Sequence, residues 1–333
     1  MERALPPPTV VFHPGRLAVI AALLLPILAV PALLPGYQAD RLSLAAVYAV
    51  IGLSLNILMG YTGQISLGHQ AFVGVGAFAA AYLTTARGIP FVASVPLAGL
   101  IGALTAALMG LVALRIRGLY LALVTLAYGA VAERSIFSIR ELTGGGAGMP
   151  APRPAVVRSD SAFAYVCLAV LAVLLVVDWR MLRTKFGRAL LALKSDERVA
   201  ASFGIDPALY RVGAFTLSGA FAGIGGGLLA FKNEHVVAQD FTFAAALTFV
   251  LMVILGGLGS RVGVVIGSAL IAELPFLLDS VAGATGVAEL IVLKIAISGA
   301  LLLAVVTVFP GGIAQQLRPV TRWLSGGSLR REE

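Results

Sequence analysis

The chain has 333 residues, of which 59% are hydrophobic and only 12% are charged. Soluble globular domains carry about 25% charged residues, so these charges are too few to cover a surface that faces water. The composition therefore excludes a soluble domain and predicts an integral membrane protein. The single cysteine, Cys167, lies in an apolar run, and we expect a small buried side chain rather than half of a disulfide. The widely spaced histidines match no metal-binding pattern, so we expect no metal ion and no cofactor.

A membrane-spanning helix needs roughly 20 apolar residues to cross about 30 Å of hydrocarbon. The segments that meet this requirement are 17–35, 42–60, 64–85, 91–114, 118–138, 162–181, 211–231, 243–260, 263–282 and 287–309. We therefore predict an all-α, polytopic membrane protein with about ten transmembrane helices. The transmembrane domain is expected to cover residues 16–312, between a disordered N-terminal segment, 1–15, and a cytoplasmic tail, 313–333.

Basic residues are distributed unevenly between the two sides of this predicted bundle. With a cytoplasmic N-terminus, sixteen of the 24 Lys and Arg residues fall on the cytoplasmic side and six on the opposite side. Because basic residues that flank spans tend to stay in the cytoplasm, both termini are predicted to be cytoplasmic. The same bias explains the net charge of +8 without a nucleic-acid partner. Arg3 and Arg16 ahead of the first apolar run also permit a second interpretation, a cleaved signal peptide.

A glycine-rich polar stretch, GYTGQISLGHQ at residues 60–70, separates the second predicted span from the third. Each glycine weakens a helix by about 1 kcal/mol relative to alanine, so we predict a break in the helix here. Two interpretations stay open. The glycines allow a neighbouring helix to approach closely, or the break exposes a half-helix N-terminus that attracts a substrate carboxylate in the translocation path. The candidate residues are Gly60, Thr62, Gly63, Gln64, Ser66, Gly68 and His69.

Two series of glycines recur at four-residue spacing, which places each series on one face of a helix. They are Gly219, Gly223 and Gly227, followed by Gly259, Gly263 and Gly267. Each series is expected to form a groove for close helix packing. In addition, residues 58–68 weakly resemble residues 255–263, which hints at two related halves of five spans each.

The longest connection on the predicted cytoplasmic side is residues 182–210. Four of its apolar residues share one helical face, which predicts an amphipathic helix of about four turns. They are Phe186, Leu190, Leu193 and Ala201. Gly204 is expected to end this helix, and Asp206 followed by Pro207 is expected to begin the next one. A helix that lies across the inner face and is joined rigidly to a span would act as a lever on the bundle.

Several stretches, together more specific than any single glycine cluster, carry a resemblance to a known family. They are residues 55–69 (LNILMGYTGQISLGH), 114–126 (LRIRGLYLALVTL), 142–145 (LTGG) with Gly148, 187–205 (GRALLALKSDERVAASFGI) and 309–312 (FPGG). In these stretches, and from about residue 42 to residue 312 as a whole, the chain resembles the M-type permease subunits of Liv-like branched-chain amino acid ABC importers.

The resemblance implies a permease subunit of a bacterial inner membrane that forms half of a translocation path for a small molecule, a branched-chain amino acid. It implies four partners: a second, H-type permease subunit, two cytoplasmic ATPase subunits and a periplasmic substrate-binding protein. It also implies that the 182–210 loop contains the coupling helix that docks onto an ATPase. The residues that match this part of the family pattern are Gly187, Arg188, Ala189, Asp196, Glu197 and Gly204. No GxxxxGK[ST] sequence occurs, so ATP hydrolysis belongs to the partners and no enzyme is predicted.

Other functions remain open from the residues. A stand-alone, ion-coupled secondary transporter or channel would need functional carboxylates within its spans. Glu273 lies in such a span, although a structural ion pair with Lys294 is the simpler interpretation. The same family scaffold also serves ABC importers of urea, short amides and aromatic acids. An intramembrane enzyme would need a clustered nucleophile and base, and no such cluster is evident in the sequence.

Overall fold

The protein is described here from a computed structural model that covers residues 36–114, 116, 118–285 and 312–313. The predicted spans at 17–35 and 287–309 lie outside the described residues. So do the N-terminal segment 1–15 and all but the first residue of the tail at 313–333.

Most of the described chain is α-helical. The α-helices are α1 (Gly36–Asn56), α2 (His69–Thr85), α3 (Phe91–Ala113), α4 (Leu119–Arg134), α5 (Arg140–Thr143), α6 (Asp160–Arg183), α7 (Lys185–Ser195), α8 (Glu197–Ser202), α9 (Pro207–Asn233), α10 (Phe243–Gly256) and α11 (Arg261–Thr285). A π-helical turn, Ile57–Thr62, continues α1, and 3-10 turns lie at Ile136–Ser138, Gly145–Ala147, Ala155–Val157 and Ala238–Phe241. The two-residue strands β1 (Met149–Pro150) and β2 (His235–Val236) pair antiparallel, with Met149 opposite Val236.

Five of the described helices are long and apolar enough to cross a membrane: Gly36–Thr62, Phe91–Ala113, Leu119–Ser138, Asp160–Arg183 and Pro207–Asn233. The predicted third and eighth spans become the shorter helices α2 and α10, of 17 and 14 residues. The prediction of an all-α, multi-pass membrane protein is thereby confirmed. The number of ten spans is not confirmed: among the described residues only five helices qualify, α11 at the ninth predicted span is not one of them, and the first and last predicted spans lie outside the described residues.

The bundle is built around α1 and α9. Their apolar stretches are 83% and 78% buried, against 28% for both α4 and α6, so α4 and α6 lie at the periphery. On α3, four leucines at positions 100, 104, 108 and 111 are each more than half exposed. Such a leucine stripe is an aggregation hazard in water but an ordinary surface in lipid, as expected for a membrane protein.

The first glycine series allows α9 to pack directly on its neighbours. A Cβ added at Gly219 would lie 2.3 Å from the carbonyl oxygen of Gly102 on α3, and one at Gly223 would lie 2.4 Å from the carbonyl oxygen of Ala98. Gly226, which the four-residue spacing omits, approaches α2 more closely still, with its added Cβ 1.9 Å from Val73 O. Close helix packing is therefore the role of this series, as predicted.

The second glycine series is only partly helical. Gly263 and Gly267 lie on α11 and pack on α10: a Cβ added at Gly267 would lie 2.4 Å from Met252 O. Gly259 lies instead in the connection between α10 and α11 with φ of 85°. The prediction of a three-glycine helix face at Gly259, Gly263 and Gly267 was wrong at its first member, because the helix begins only at Arg261.

Candidate functional site

The helix that begins at Gly36 ends within the glycine-rich stretch. After the π-helical turn, Gly63 takes a left-handed backbone conformation with φ of 69°, and its amide donates to Leu58 O. The Gln64 amide also donates to Leu58 O, at 3.0 Å. In an α-helix that amide would bond to Gly60 O, so the break releases the Gly60 carbonyl from its usual partner. A regular helix resumes only at His69.

Gly60 and Gly68 are both in close contact with neighbouring segments. A Cβ added at Gly68 would lie 1.7 Å from the carbonyl oxygen of Thr125 on α4, and one at Gly60 would lie 2.7 Å from the backbone nitrogen of Gly259. The Leu67 amide donates to Thr125 Oγ1 at 3.0 Å, which fixes the irregular segment after the break to α4. Close approach is thus a structural requirement at these two glycines.

Polar side chains fill the interior beside the break. His69 is fully buried, and its Nε2 lies 2.6 Å from Ser54 Oγ on α1. Ser218 of α9 donates to the Ser54 carbonyl at 2.7 Å, which joins the two central helices. Ser66 and His69 each keep one buried polar atom, Oγ and Nδ1, without a hydrogen-bond partner in the structure. These atoms are available to form hydrogen bonds with water or a bound molecule in the bundle interior.

The connection between α6 and α9 is two short helices rather than one of four turns. Thr184 caps the N-terminus of α7, and Asp196 interrupts the helix and caps α8 by accepting from Arg198 N at 2.8 Å and from Val199 N at 3.1 Å. Because the chain turns at Asp196, Ala201 no longer shares a face with Leu190 and is exposed. The four-turn prediction failed because an aspartate within a helix competes for backbone amides.

Gly204 ends α8 as expected. It has φ of 79°, its amide donates to Ala201 O at 3.0 Å, and the Ile205 amide donates to Ala200 O at 3.2 Å. These two bonds form a Schellman motif. Asp206 then caps α9 by accepting from the Ala208 amide at 2.9 Å, with Pro207 in the first helical position.

The other family-matching residues of this connection divide into buried and exposed. Gly187 and Ala189 are buried, and a Cβ added at Gly187 would lie 2.4 Å from Leu182 Cα. Arg188 is exposed and donates to Arg183 O at 2.8 Å. Glu197 forms an ion pair with Arg211 at the start of α9. The buried side of the connection therefore faces the bundle, while Arg188 is available to a partner.

The connection between α6 and α9 contacts the broken helix, by which we mean α1, its π-helical turn Ile57–Thr62 and the irregular segment 63–68. Lys194 Nζ donates to Gly60 O at 2.7 Å. A cavity of about 180 Å³ lies between the two segments and the start of α4. Its lining includes Thr62, Gly63 and Gln64 from the break and Leu190, Glu197 and Arg211 from the connection and α9. The structure thus brings three residues of the broken helix together with the connection, while Ser66, Gly68 and His69 lie outside this lining.

A buried carboxylate strengthens the same junction. Asp178, near the end of α6, is fully buried and accepts hydrogen bonds from Tyr61 Oη at 3.0 Å and from Arg261 Nε at 2.9 Å. Asn56 Oδ1 accepts from the Gly259 amide at 2.8 Å. The two glycine segments that resemble each other in sequence therefore lie side by side, with residues 259–261 against residues 56–61.

The opposite end of the bundle is held by a second cluster of charges. Arg153 has a side chain only 6% exposed and pairs with Asp160 at 2.7 Å, Asp40 at 3.4 Å and Glu234 at 3.5 Å. Its Nη2 also donates to Lys232 O at 2.9 Å. This cluster joins the first turns of α1 and α6 to the end of α9.

Glu273 of α11 is also paired at that end. Its partner is Arg41 of α1. Lys294, the partner suggested by the sequence, lies outside the described residues.

Sequence reasoning missed Lys194, Asp178 and Arg153. Asp178 offered a signal, since it is an acidic residue inside a predicted span, where ionisable groups are rare and usually paired. Lys194 and Arg153 offered none, because they stand among several other basic residues in connections and only the tertiary contacts set them apart.

A family model described as branched-chain amino acid transport system / permease component matches residues 38–306. The high-affinity branched-chain amino acid transport system permease proteins LivM of Salmonella typhimurium and Escherichia coli are each 33% identical over 280 residues. The alignments cover 76% of this chain and 66% of each relative, so the chain spans about two thirds of their length.

Two archaeal relatives extend the comparison. The probable branched-chain amino acid transport permease protein LivM of Methanocaldococcus jannaschii is 26% identical over 70% of this chain and 78% of its own length. The probable permease protein LivH of the same organism is 34% identical over 45% of this chain and 47% of its own length. No solved structure matches this chain.

Proposed function

This chain belongs to the family of permease components of branched-chain amino acid transport systems, and from that premise we propose that it is a permease subunit of an ABC importer of branched-chain amino acids. It forms half of the translocation path and is itself no enzyme, because the sequence contains no nucleotide-binding loop. The substrate assignment is supported by the names of the LivM relatives from two bacteria and an archaeon.

The partners of this subunit are a second, H-type permease, two cytoplasmic ATPases and a periplasmic substrate-binding protein. The similarity to a LivH protein over nearly half of the chain supports pairing of two related permeases around a shared path. Such pairing around a pseudo-symmetry axis is a common basis of alternating access.

Residues 182–210 form the ATPase coupling loop, with Gly187, Arg188, Ala189, Asp196, Glu197 and Gly204 as its characteristic residues. One observation carries this assignment: the loop is joined to the broken helix by the Lys194 to Gly60 hydrogen bond. The caps at Thr184, Asp196 and Asp206 fix the loop in one conformation. A surface segment that is both rigid and connected to the interior can transmit a displacement imposed by a partner.

The end of the bundle that carries the coupling loop is cytoplasmic in this proposal, because the ATPases are cytoplasmic. The excess of basic residues on that side supports the same orientation, with both termini cytoplasmic and the chain in the inner membrane of a bacterium. The Arg153 cluster then lies at the periplasmic end. The transport domain covers residues 16–312, flanked by a disordered segment, 1–15, and a cytoplasmic tail, 313–333.

The broken helix contributes to the translocation path through Gly60, Thr62, Gly63, Gln64, Ser66, Gly68 and His69. Its support is the cluster of buried polar atoms without partners and the cavity beside Thr62, Gly63 and Gln64. Irregular backbone at membrane depth is tolerated where it is buried in protein or lines an aqueous cavity.

The test is reconstitution of uptake in cells that lack their own branched-chain amino acid import. Co-expression with the four partners should give ATP-dependent uptake of leucine, isoleucine and valine, and omission of the ATPases should abolish it. Uptake of urea or an aromatic acid in preference to all three would overturn the substrate assignment.

Arg188→Glu should reduce co-purification of the ATPases, whereas the matched reversal Arg158→Glu, on an exposed residue outside the loop, should not.

A further inference from the structure

The end of the broken helix is completed by the coupling loop rather than by its own chain. The Gln64 amide, the ordinary helical partner of Gly60 O, bonds to Leu58 O instead. Lys194 supplies the missing donor through Nζ at 2.7 Å. A cation at this place is favourable because the last carbonyls of a helix carry partial negative charge.

The adjacent residue of the broken helix is held by the helix that leads into the loop. Tyr61 donates to Asp178 at 3.0 Å, and Asp178 lies on α6 only a few residues before the loop begins. Two successive residues, Gly60 and Tyr61, are therefore bonded to one continuous segment that runs from α6 into α7. Both contacts are at the same end of the bundle as the cavity of about 180 Å³ beside Thr62, Gly63 and Gln64.

We propose that Lys194 is a positioning residue that clamps the coupling loop to the C-terminal end of the broken helix, so that the two move as one body during transport. This inference rests on the proposed function and adds the route by which motion of the loop reaches the interior. Beyond the clamp, the chain turns at Gly63 and enters the segment that holds Ser66, Gly68 and His69. Displacement of the loop therefore reorients the break without unfolding either helix.

The chemistry of Lys194 suits this role. A single ammonium on a flexible stem can bond one carbonyl without ordering a larger surface. Its α7 helix is amphipathic, with Leu190 buried against the bundle, and Lys185 and Lys194 are both exposed residues, at opposite ends of the helix. Lys185 offers a matched comparison, since it carries the same charge on the same helix but lies nine positions from the junction.

The first test compares Lys194→Met, Lys194→Arg and Lys185→Met in the complete transporter. Lys194→Met should lower the maximal uptake rate several-fold, up to roughly tenfold, at unchanged KM, because the hydrogen bond that it removes is charged but only partly buried. ATPase co-purification should remain within about twofold of wild type, and Lys194→Arg should recover most of the rate because it restores a cationic donor. Lys185→Met reports the effect of removing one positive charge from this helix.

Three results would overturn the clamp. The first is transport by Lys194→Met at the wild-type rate. The second is a loss of ATPase association by this variant in proportion to its loss of uptake, which would assign Lys194 to docking. The third is equal behaviour of Lys194→Met and Lys185→Met in every measurement, which would assign the effect to net charge alone.

The second test replaces the hydrogen bond by a covalent one. A Cβ added at Gly63 would lie 3.5 Å from Lys194 Cγ, so Gly63→Cys with Lys194→Cys brings two thiols close enough to cross-link. Cys167 is buried and does not compete. If the two segments move as one body, oxidation of the double variant should raise uptake several-fold above its reduced form and reduction should reverse the gain. A disulfide that forms and leaves uptake no higher would contradict the clamp.

The importer function and the Lys194 clamp can be rejected independently of each other. Absence of ATP-dependent uptake by the wild-type assembly would reject the proposed importer function. Normal wild-type uptake together with an unaffected Lys194→Met would reject the clamp and leave the importer function intact.

Discussion

Tyr61 donates its phenolic hydroxyl to Asp178 at 3.0 Å, joining residues 117 positions apart in the sequence. Asp178 is fully buried and would be costly to ionise there without partners, but Arg261 supplies a cation at 2.9 Å. Three segments are thereby fixed at one end of the bundle: the broken helix, α6 and the start of α11. Asp178 therefore bonds to both of the other segments, accepting one hydrogen bond from Tyr61 and one from Arg261.

We expect Asp178→Asn to destabilise the protein more than Tyr61→Phe does. The asparagine leaves Arg261 without its counter-ion, and because the Arg261 side chain is 26% exposed and partly screened by solvent, we expect a loss of about 2 to 3 kcal/mol. The phenylalanine removes one neutral donor, at about 1 kcal/mol. Thermal unfolding of the detergent-purified variants should show this order in the midpoint temperature, and the reverse order would contradict the central place of Asp178.

Gly68→Ala should reduce both stability and transport. The added Cβ would lie 1.7 Å from Thr125 O, so α2 and α4 must separate, and overpacking of this kind costs about 1 to 3 kcal/mol or more. Gly146→Ala is the control, because nothing lies within 4 Å of a Cβ added there. Equal uptake and equal unfolding temperatures for the two variants would show that α4 does not need this approach.

Gly204→Ala should weaken the coupling loop, and Gly204→Asn should weaken it less. With φ of 79° the position is left-handed, which costs an alanine about 1 to 2 kcal/mol, whereas asparagine adopts this conformation more readily. No atom lies within 4 Å of a Cβ added at Gly204, so backbone strain alone is tested. ATPase co-purification and uptake are measured for both variants. Higher uptake by Gly204→Ala than by Gly204→Asn would argue against the Schellman turn.

Arg153→Met should impair folding far more than Arg158→Met. Arg153 is nearly buried and pairs with three partly exposed carboxylates. In the variant Asp160 and Glu234 lose this cation while Asp40 keeps its bond from Lys232, so we expect a loss of about 1 to 3 kcal/mol. Arg158 is exposed and serves as the charge-matched control. Arg153→Lys should rescue only partly, since one ammonium cannot reproduce the several bonds of a guanidinium. The yield of monodisperse protein in detergent measures the effect, and full rescue by lysine would show that charge alone is required.

The sequence was sufficient for features that depend on local chemistry. Apolar length predicted membrane helices, the glycine spacing predicted that α9 packs closely on a neighbouring helix, and Gly204 and Asp206 predicted the turn between α8 and α9. Each of these depends on residues close together in the chain. The error at Asp196 was also local: hydrophobic periodicity was given more weight than the tendency of aspartate to cap a new helix.

Features that depend on distant residues could not be predicted in the same way. Which of many basic side chains meets the Gly60 carbonyl is decided by the packing of α7 against the broken helix, and no spacing rule identifies Lys194. Asp178 and Arg261 likewise lie 83 positions apart in the sequence, and their ion pair joins two different helices. The sequence therefore located the break in the helix and the helical connection at residues 182–210, but not the contact between them.

The most direct test of the central claim, that this chain is a passive gate moved by cytoplasmic partners, is uptake into proteoliposomes. With the H-type permease, both ATPases, ATP and the binding protein loaded with leucine, the vesicles should accumulate leucine; the chain alone, with any imposed ion gradient, should not. Accumulation of leucine by the chain alone under an ion gradient would contradict the account.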